Sequence, residues 1–268
     1  MITQSSLSHA NKDLGTSLER LSTGLRINRA ADDAAGLSVS EQLRTQVRGT
    51  RMAIRNAHDG NALLRIAEGA ANEISSMLQR MRELSIQSDN DTLTSTERGY
   101  LDQEFQSLKS EITRITKSTQ YNGLTLLDGE SASFGAQGGA ASILHIGANN
   151  LSGVDRVTVS IDAITLGSLG LSSSAITGRP AIGNAIDSID TAIQSVNAMR
   201  SNMGALMNRL DHAVNNLEIQ ETNMQSAESV IRDSDFALET TKFTRNQILT
   251  QSSTCLLYTS PSPRDSDS

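Results

Sequence analysis

The sequence predicts a mainly α-helical protein. Long helices from both chain ends should pair as an antiparallel coiled-coil bundle, with a small central β-hairpin region. Three observations predict it. First, an apolar seam stepping alternately by four and three runs from Ile182 to Leu238, and 13 of its 17 positions are apolar. That is the heptad pattern of a long helix in a left-handed coiled coil. Second, shorter seams with the same spacing lie between Leu7 and Ile115 and offer partners. Third, aromatic residues make up only 3% of the chain and Trp is absent. That is few for a thick globular core but sufficient where Leu and Ile knobs fill the holes.

The first seam is Leu7, Leu14, Leu18, Leu21 and Leu25. The second opens with Leu43, Val47, Thr50, Ile54 and Ala57, drifts by one position, and continues through Leu63, Ile66, Ala70, Ile74, Met77, Met81 and Leu84. Asp89-Asn90-Asp91 is a polar break. Thr94 with Glu97 then reads as a capping box opening a third helix along Leu101, Phe105, Leu108, Ile112 and Ile115. Tyr121-Asn122-Gly123 is a turn, and Ile143–Ile146 and Arg156–Ile161 read as short strands. Residues 121–180 are therefore hairpins and loops, closed by Pro180. The long C-terminal seam follows. Its expected core includes Ile193, Val196, Leu210, Val214, Leu217 and Ile231, with no proline inside it and no glycine after Gly204. Each half exposes a seam that needs burial, so the halves must pair.

Lys and Arg number 23 against 30 Asp and Glu, a net charge of -7. An acidic chain is a poor general ligand for nucleic acid or anionic membrane. No apolar stretch is long enough to span a bilayer, so no membrane insertion is expected. Met1 to Asp13 lacks the apolar run of a secretory signal, which by itself reads as cytosolic. The single cysteine, Cys255, excludes an intrachain disulfide.

No constellation supports catalysis, so the protein is read as a non-enzyme without cofactor or metal. Asp32 and Asp33 are adjacent and stand on different sides of a helix or strand, so they read as a helix opening or connector. Arg44, Arg48, Arg51 and Arg55 form a basic stripe, expected to flank the apolar seam and to pair with Glu218, Glu221, Glu228 or Asp233. His58 and His212 belong to no HExxH motif, and Gly135, Gly138 and Gly139 are not followed by the GK[ST] of a phosphate loop. Ser172-Ser173-Ser174 reads as loop composition.

Two long motifs carry a family resemblance. One is Ser17-Leu18-Glu19-Arg20-Leu21-Ser22-Thr23-Gly24-Leu25-Arg26-Ile27-Asn28-Arg29-Ala30-Ala31-Asp32-Asp33-Ala34-Ala35-Gly36-Leu37. The other is Ser226-Ala227-Glu228-Ser229-Val230-Ile231-Arg232-Asp233-Ser234-Asp235-Phe236-Ala237-Leu238-Glu239. In this order they resemble the terminal signatures of bacterial flagellin, the extracellular filament protein. The resemblance implies terminal coiled-coil segments at 1–25 and 236–256, a connector at 26–36, and a helical-bundle domain at 37–235. It implies self-assembly into the filament for swimming motility, and export by the flagellar secretion apparatus without a cleaved signal. It also implies contacts with an export chaperone, the filament cap and hook-associated proteins.

Leu78-Gln79-Arg80-Met81-Arg82-Glu83-Leu84 resembles the segment by which many flagellins engage Toll-like receptor 5. Carried over by motif, Arg80, Leu84 and Glu104 are the expected contacts. The alternatives are the related hook–filament junction protein, which typically has proline after the Asp pair where Ala34-Ala35-Gly36 stands here, and an intracellular coiled-coil scaffold. The N-terminus looks short for the family. The sequence around Pro261 and Pro263 departs from its helix-forming end, so 257–268 is expected to be a non-native tail.

Overall fold

The structure is a computed structural model in which residues 2–129 and 142–259 are described. Gly135, Gly138 and Gly139 lie outside the described residues, as does the expected tail beyond Thr259. The elements run α1 (Ile2–Thr23), α2 (Ala34–Ser88), α3 (Ser95–Ser118), β1 (Gln120–Tyr121), β2 (Leu124–Thr125), β3 (Ser142–His145), β4 (Arg156–Val159), α4 (Arg179–Arg232) and α5 (Phe236–Thr259). The chain forms two compact units, one from Met1–Arg48 with Gln220–Ser268 and one from Gly49–Ile219.

The second unit holds the hydrophobic core. On α2, Leu64, Ala67, Ala71, Ile74, Leu78 and Met81 are fully buried, and on α4 so are Ile182, Ala185, Ile189, Ala192 and Val196, each at most 1% exposed. These steps of three and four keep one stripe of each helix inward. The stripe differs in detail from the seam read in the sequence. Ile66 is 43% exposed, and its place is taken by Leu64 and Ala67. Ile186 and Ile193 are half-buried beside the fully buried Ala185 and Ala192. Seven residues of a straight helix fall about 20° short of two full turns, so the buried line creeps across the surface relative to a strict heptad. Small residues, Ala67, Ala71, Ala185 and Ala192, are among the innermost.

Polar pairs cross between α2 and α4 in antiparallel order. Arg82 Nε donates to Asp190 Oδ1 at 2.6 Å, Arg200 Nη2 to Glu68 Oε1 at 2.9 Å, and Asn61 Nδ2 to Asp211 Oδ1 at 2.6 Å.

The capping box at the start of α3 is present. The Thr94 hydroxyl accepts from the Glu97 N–H, and the Glu97 carboxylate accepts from the Thr94 N–H at 2.7 Å. Phe105 and Ile112 then anchor α3 in the core, both at 0% exposure. Buried Lys109 donates to the carbonyls of Ser172 and Ser174 at 3.1 and 3.0 Å, tying α3 to the loop before α4; burial pushes its pKa down.

β1 and β2 form an antiparallel hairpin across Asn122 and Gly123. Their φ angles of 50° and 80° are the positive pair that a type I′ turn requires. β3 and β4 form a second antiparallel hairpin with Ser142 opposite Val159. Its Leu144 Cδ1 lies against the point where a Cβ would stand at Gly60, so a side chain there would have to displace the end of Leu144. Helix α4 starts one residue before Pro180, and proline is tolerated in a first turn because no intrahelical acceptor awaits its N–H.

The first unit contains α1, the start of α2, the end of α4, and α5. Helices α1 and α5 pack closely along one another. The seam read as continuous to Leu238 breaks at Asp233-Ser234-Asp235. Asp235 Oδ1 accepts from the N–H groups of Ala237 and Leu238 at 2.8 and 3.2 Å and so opens α5 as a new helix.

Candidate functional site

The α1–α5 pair is the first candidate surface. Close approach needs small side chains, and α1 supplies Ala10 and Ser17, 8% and 3% exposed, one heptad apart. Gly24 comes a heptad later, with φ of 73°, and its N–H returns to the Arg20 carbonyl at 2.8 Å to end the helix. With these small residues turned inward, the leucines flank them: Leu14, Leu21 and Leu25 are half-buried, and Leu18 is 52% exposed.

Helix α5 is less satisfied still. Phe236 is 56% exposed, Leu238 55%, Ile248 58% and Leu249 48%. At 3.6 residues per turn these side chains point to several sides of the helix, so one neighbouring helix cannot cover them. At the end of α4, Val230 is exposed and Ile231 half-buried. Between α1 and α5 runs a charged groove of about 320 Å³, lined among others by Asp13, Arg20, Lys242 and Arg245. At its floor, Glu239 is 3% exposed and meets Lys242 at 3.3 Å and Arg20 at 4.0 Å. Sequence reasoning passed over Glu239; its spacing of three from Lys242 was the available signal.

The connector between α1 and α2 is fixed by backbone pairing. Leu25 bridges Asp233 antiparallel, the Arg26 N–H donates to the Arg232 carbonyl at 2.7 Å, and the Ser234 N–H donates to the Gly24 carbonyl at 2.9 Å. The Asp pair divides its work as adjacent residues must. Asp32 Oδ2 accepts from the N–H groups of Asn28 and Arg29 at 3.1 and 3.0 Å, bonds that hold its pKa below the ordinary aspartate range. Asp33 Oδ1 accepts from the Gly36 N–H at 2.9 Å and opens α2. A Cβ at Gly36 would lie 2.5 Å from Asp33 Oδ2 and 2.9 Å from Ile27 Cδ1, so a side chain there would have to displace the Asp33 carboxylate and the end of Ile27.

One member of the basic stripe, Arg44, has an acid on its own helix. Arg44 meets Glu41 at 3.7 Å, and Glu41 in turn accepts from Arg232 at 2.6 Å; the Arg232 bond holds the Glu41 pKa down.

In the second unit the expected seam residues Val196, Leu210 and Val214 are buried, at 1%, 0% and 6%. Ile193 and Leu217 are half-buried.

The second candidate surface is the expected receptor segment. The structure brings Arg80 and Glu104 together: Arg80 Nε and Nη2 both reach Glu104 Oε1 at 3.0 Å, and Nη1 reaches Glu83 at 3.1 Å. These bonds hold the guanidinium firmly protonated, the Glu104 bond foremost. Leu84 is not with them. It is 0% exposed inside the core and has no surface to offer a receptor. Its place in the seam through Met81 dictates this, since the step of three keeps both inward.

Among the described residues no three His, Cys, Asp or Glu side chains cluster as a metal site, and no helix is long and apolar enough to cross a membrane.

Comparison with known proteins gives a consistent answer. The family described as the bacterial flagellin N-terminal helical region matches residues 1–132, and the bacterial flagellin C-terminal helical region matches residues 186–259. The flagellin of Halalkalibacterium halodurans is 43% identical over 256 residues, 93% of this chain and 91% of that one. The flagellar filament 33 kDa core protein of Treponema phagedenis is 39% identical over 265 residues, 96% of this chain and 92% of that one. The crystal structure of Bacillus cereus flagellin shares 34% identity and superposes with a TM-score of 0.51 over 65% of this chain and 94% of that one.

Proposed function

Because the chain belongs to the bacterial flagellin family, we propose that it is a structural subunit that polymerises through its terminal helices into the extracellular filament used for swimming. The observation that carries this is the contrast between the two units. The second buries a contiguous apolar core, whereas the first buries only Ala10, Ile27 and Val47 among its described apolar side chains and leaves Leu18, Val230, Phe236, Leu238, Ile248 and Leu249 about half exposed or more. Apolar side chains arrayed on several sides of a helix pair need cover from other chains. Residues 1–25 and 236–256 form the inner layer of the filament, 26–36 the connector and 37–235 the outer helical domain. The chain leaves the cell through the flagellar secretion apparatus without a cleaved signal. It meets an export chaperone, the filament cap and hook-associated proteins. Of the two alternatives, a hook–filament junction protein is disfavoured by Ala34-Ala35-Gly36. A cytosolic scaffold differs in location, so shearing intact motile cells separates it. The chain should appear in the sheared supernatant as filaments visible by electron microscopy. Retention of the chain in the cell pellet would reject the proposal.

The free subunit also presents Arg80 and Glu104 to Toll-like receptor 5. The reading rests on the motif resemblance, on the exposure of both side chains, and on the frequency of Arg in binding hot spots. Arg80→Ala should lower receptor-reporter activity of the monomer about tenfold, a loss of about 1.4 kcal/mol, with helix content unchanged. Full activity in that variant would reject the assignment.

A further inference from the structure

The polar residues between α2 and α4 have a spacing that the fold alone does not require. Asn61, Glu68 and Arg82 lie one and two heptads apart, and their partners Asp211, Arg200 and Asp190 descend α4 in the opposite sense. In strict antiparallel register, Glu68 falls opposite Gly204, which has no side chain; Arg200, one turn away, reaches it instead. The heptad between these rungs carries Ser75 on α2 and Asn197 on α4. One side of an otherwise apolar pairing is therefore polar at every seventh residue.

These pairs are poor candidates for stability. The side chains of Arg82 and Asp190 are 44% and 41% exposed, and those of Arg200 and Glu68 31% and 35%, so solvent screens them. Asn61 is 5% exposed and its Oδ1 has no partner among the described residues, a net cost to folding. Meanwhile the apolar stripes are repetitive. Ala185 and Ala192 repeat at one heptad, as do Ala67 with Ile74 and Ala71 with Leu78. A slip of one heptad, about 10 Å along the axis, would still set apolar residues against apolar residues.

The polar residues do not tolerate that slip. Moved one way, Glu68 faces Asp211, Asp190 faces Asp89, and Asn61 faces Glu218. Moved the other way, Arg65 comes beside Arg200, Asn61 faces Gly204, and Arg82 faces Gly183. The first slip breaks all three pairs and sets carboxylates together; the second breaks Asn61–Asp211 and Arg82–Asp190 and brings Arg65 beside Arg200, although Glu68 stays within a turn of Arg200. We infer that Asn61–Asp211, Glu68–Arg200 and Arg82–Asp190 form a register lock, which selects one alignment of α2 on α4 against its one-heptad neighbours. A polar residue at a coiled-coil core position fixes register in this way at a cost in stability.

Pulsed electron–electron resonance on the full-length monomer tests this. Spin labels are placed at Asn72 and Ser201, both exposed, in a Cys255→Ser background. The otherwise unaltered chain should give one distance. Asn61→Leu with Glu68→Leu and Arg82→Leu should give a second population with the labels displaced along the axis by about one heptad. Its melting temperature should be no lower than the parent's. A single parental distance in this variant would overturn the lock. Charge inversion supplies an independent check. Glu68→Arg with Arg82→Asp should lose the single parental distance, and adding Arg200→Glu and Asp190→Arg should recover it. Retention of the parental distance in the first, or failure of the second to recover it, also overturns the lock.

Discussion

Leu210→Asp should cost the helical core at least about 4 kcal/mol, through lost apolar burial together with an uncompensated buried charge. Leu210 is 0% exposed and sits on α4 within the core of the second unit. Its neighbour in sequence, Asp211, already carries a negative charge, to which the new carboxylate adds. Circular dichroism during urea titration should show the transition moved to far lower denaturant, with the slope of the transition unchanged. A midpoint equal to the parent's would remove the basis for placing this face of α4 in the core.

Ile248→Asp should have the opposite signature. Ile248 is 58% exposed on α5, so the monomer should melt within about 0.5 kcal/mol of the parent, as surface changes do. Assembly should suffer heavily. If this side chain is buried between subunits, the variant forgoes about 2 kcal/mol of apolar burial and forces a carboxylate out of water. A penalty of about 3 kcal/mol raises the critical concentration for seeded polymerisation roughly 100-fold. Sedimentation of polymer across a concentration series measures it. Unchanged polymerisation would show that α5 does not supply the contact. The two substitutions place the same charge on two apolar residues. One should act on folding and the other on association, because one side chain has its neighbours within the chain and the other lacks them.

Much of this was legible in the residues. The seams between Leu7 and Leu84 and from Ile182 onward announced long paired helices, because a repeat of apolar residues every three or four positions has no better use than one buried stripe. The Thr94 and Glu97 capping box and the Asn122-Gly123 turn were legible because each is a local arrangement. It is satisfied by residues within a few positions and indifferent to the rest of the fold. The conclusion that Asp32 and Asp33 were structural followed from their adjacency, from the lack of a His or third carboxylate nearby in sequence, and from the family signature they belong to.

Tertiary structure decided the rest. Periodicity identified a face to within about one residue, but which neighbour lay innermost depended on the segments packed against it. Ala185 and Ala192 therefore displaced Ile186 and Ile193, and Ala10 and Ser17 displaced the leucines of α1. The break at Asp233-Ser234-Asp235 was concealed because the apolar period carried on through it. In the structure the pairing of Leu25 with Asp233 and the cap supplied by Asp235 make that stop. Leu84 read as both a seam residue and a receptor contact, and burial against the core resolved it to the first. The polar rungs Asn61–Asp211 and Arg82–Asp190 join residues 150 and 108 positions apart. Sequence by itself determined which stretches become helices and which faces must be covered, since both follow from local propensity and spacing. Which residues meet across those faces, and which apolar side chains remain uncovered for another chain, were decided only when distant segments came together.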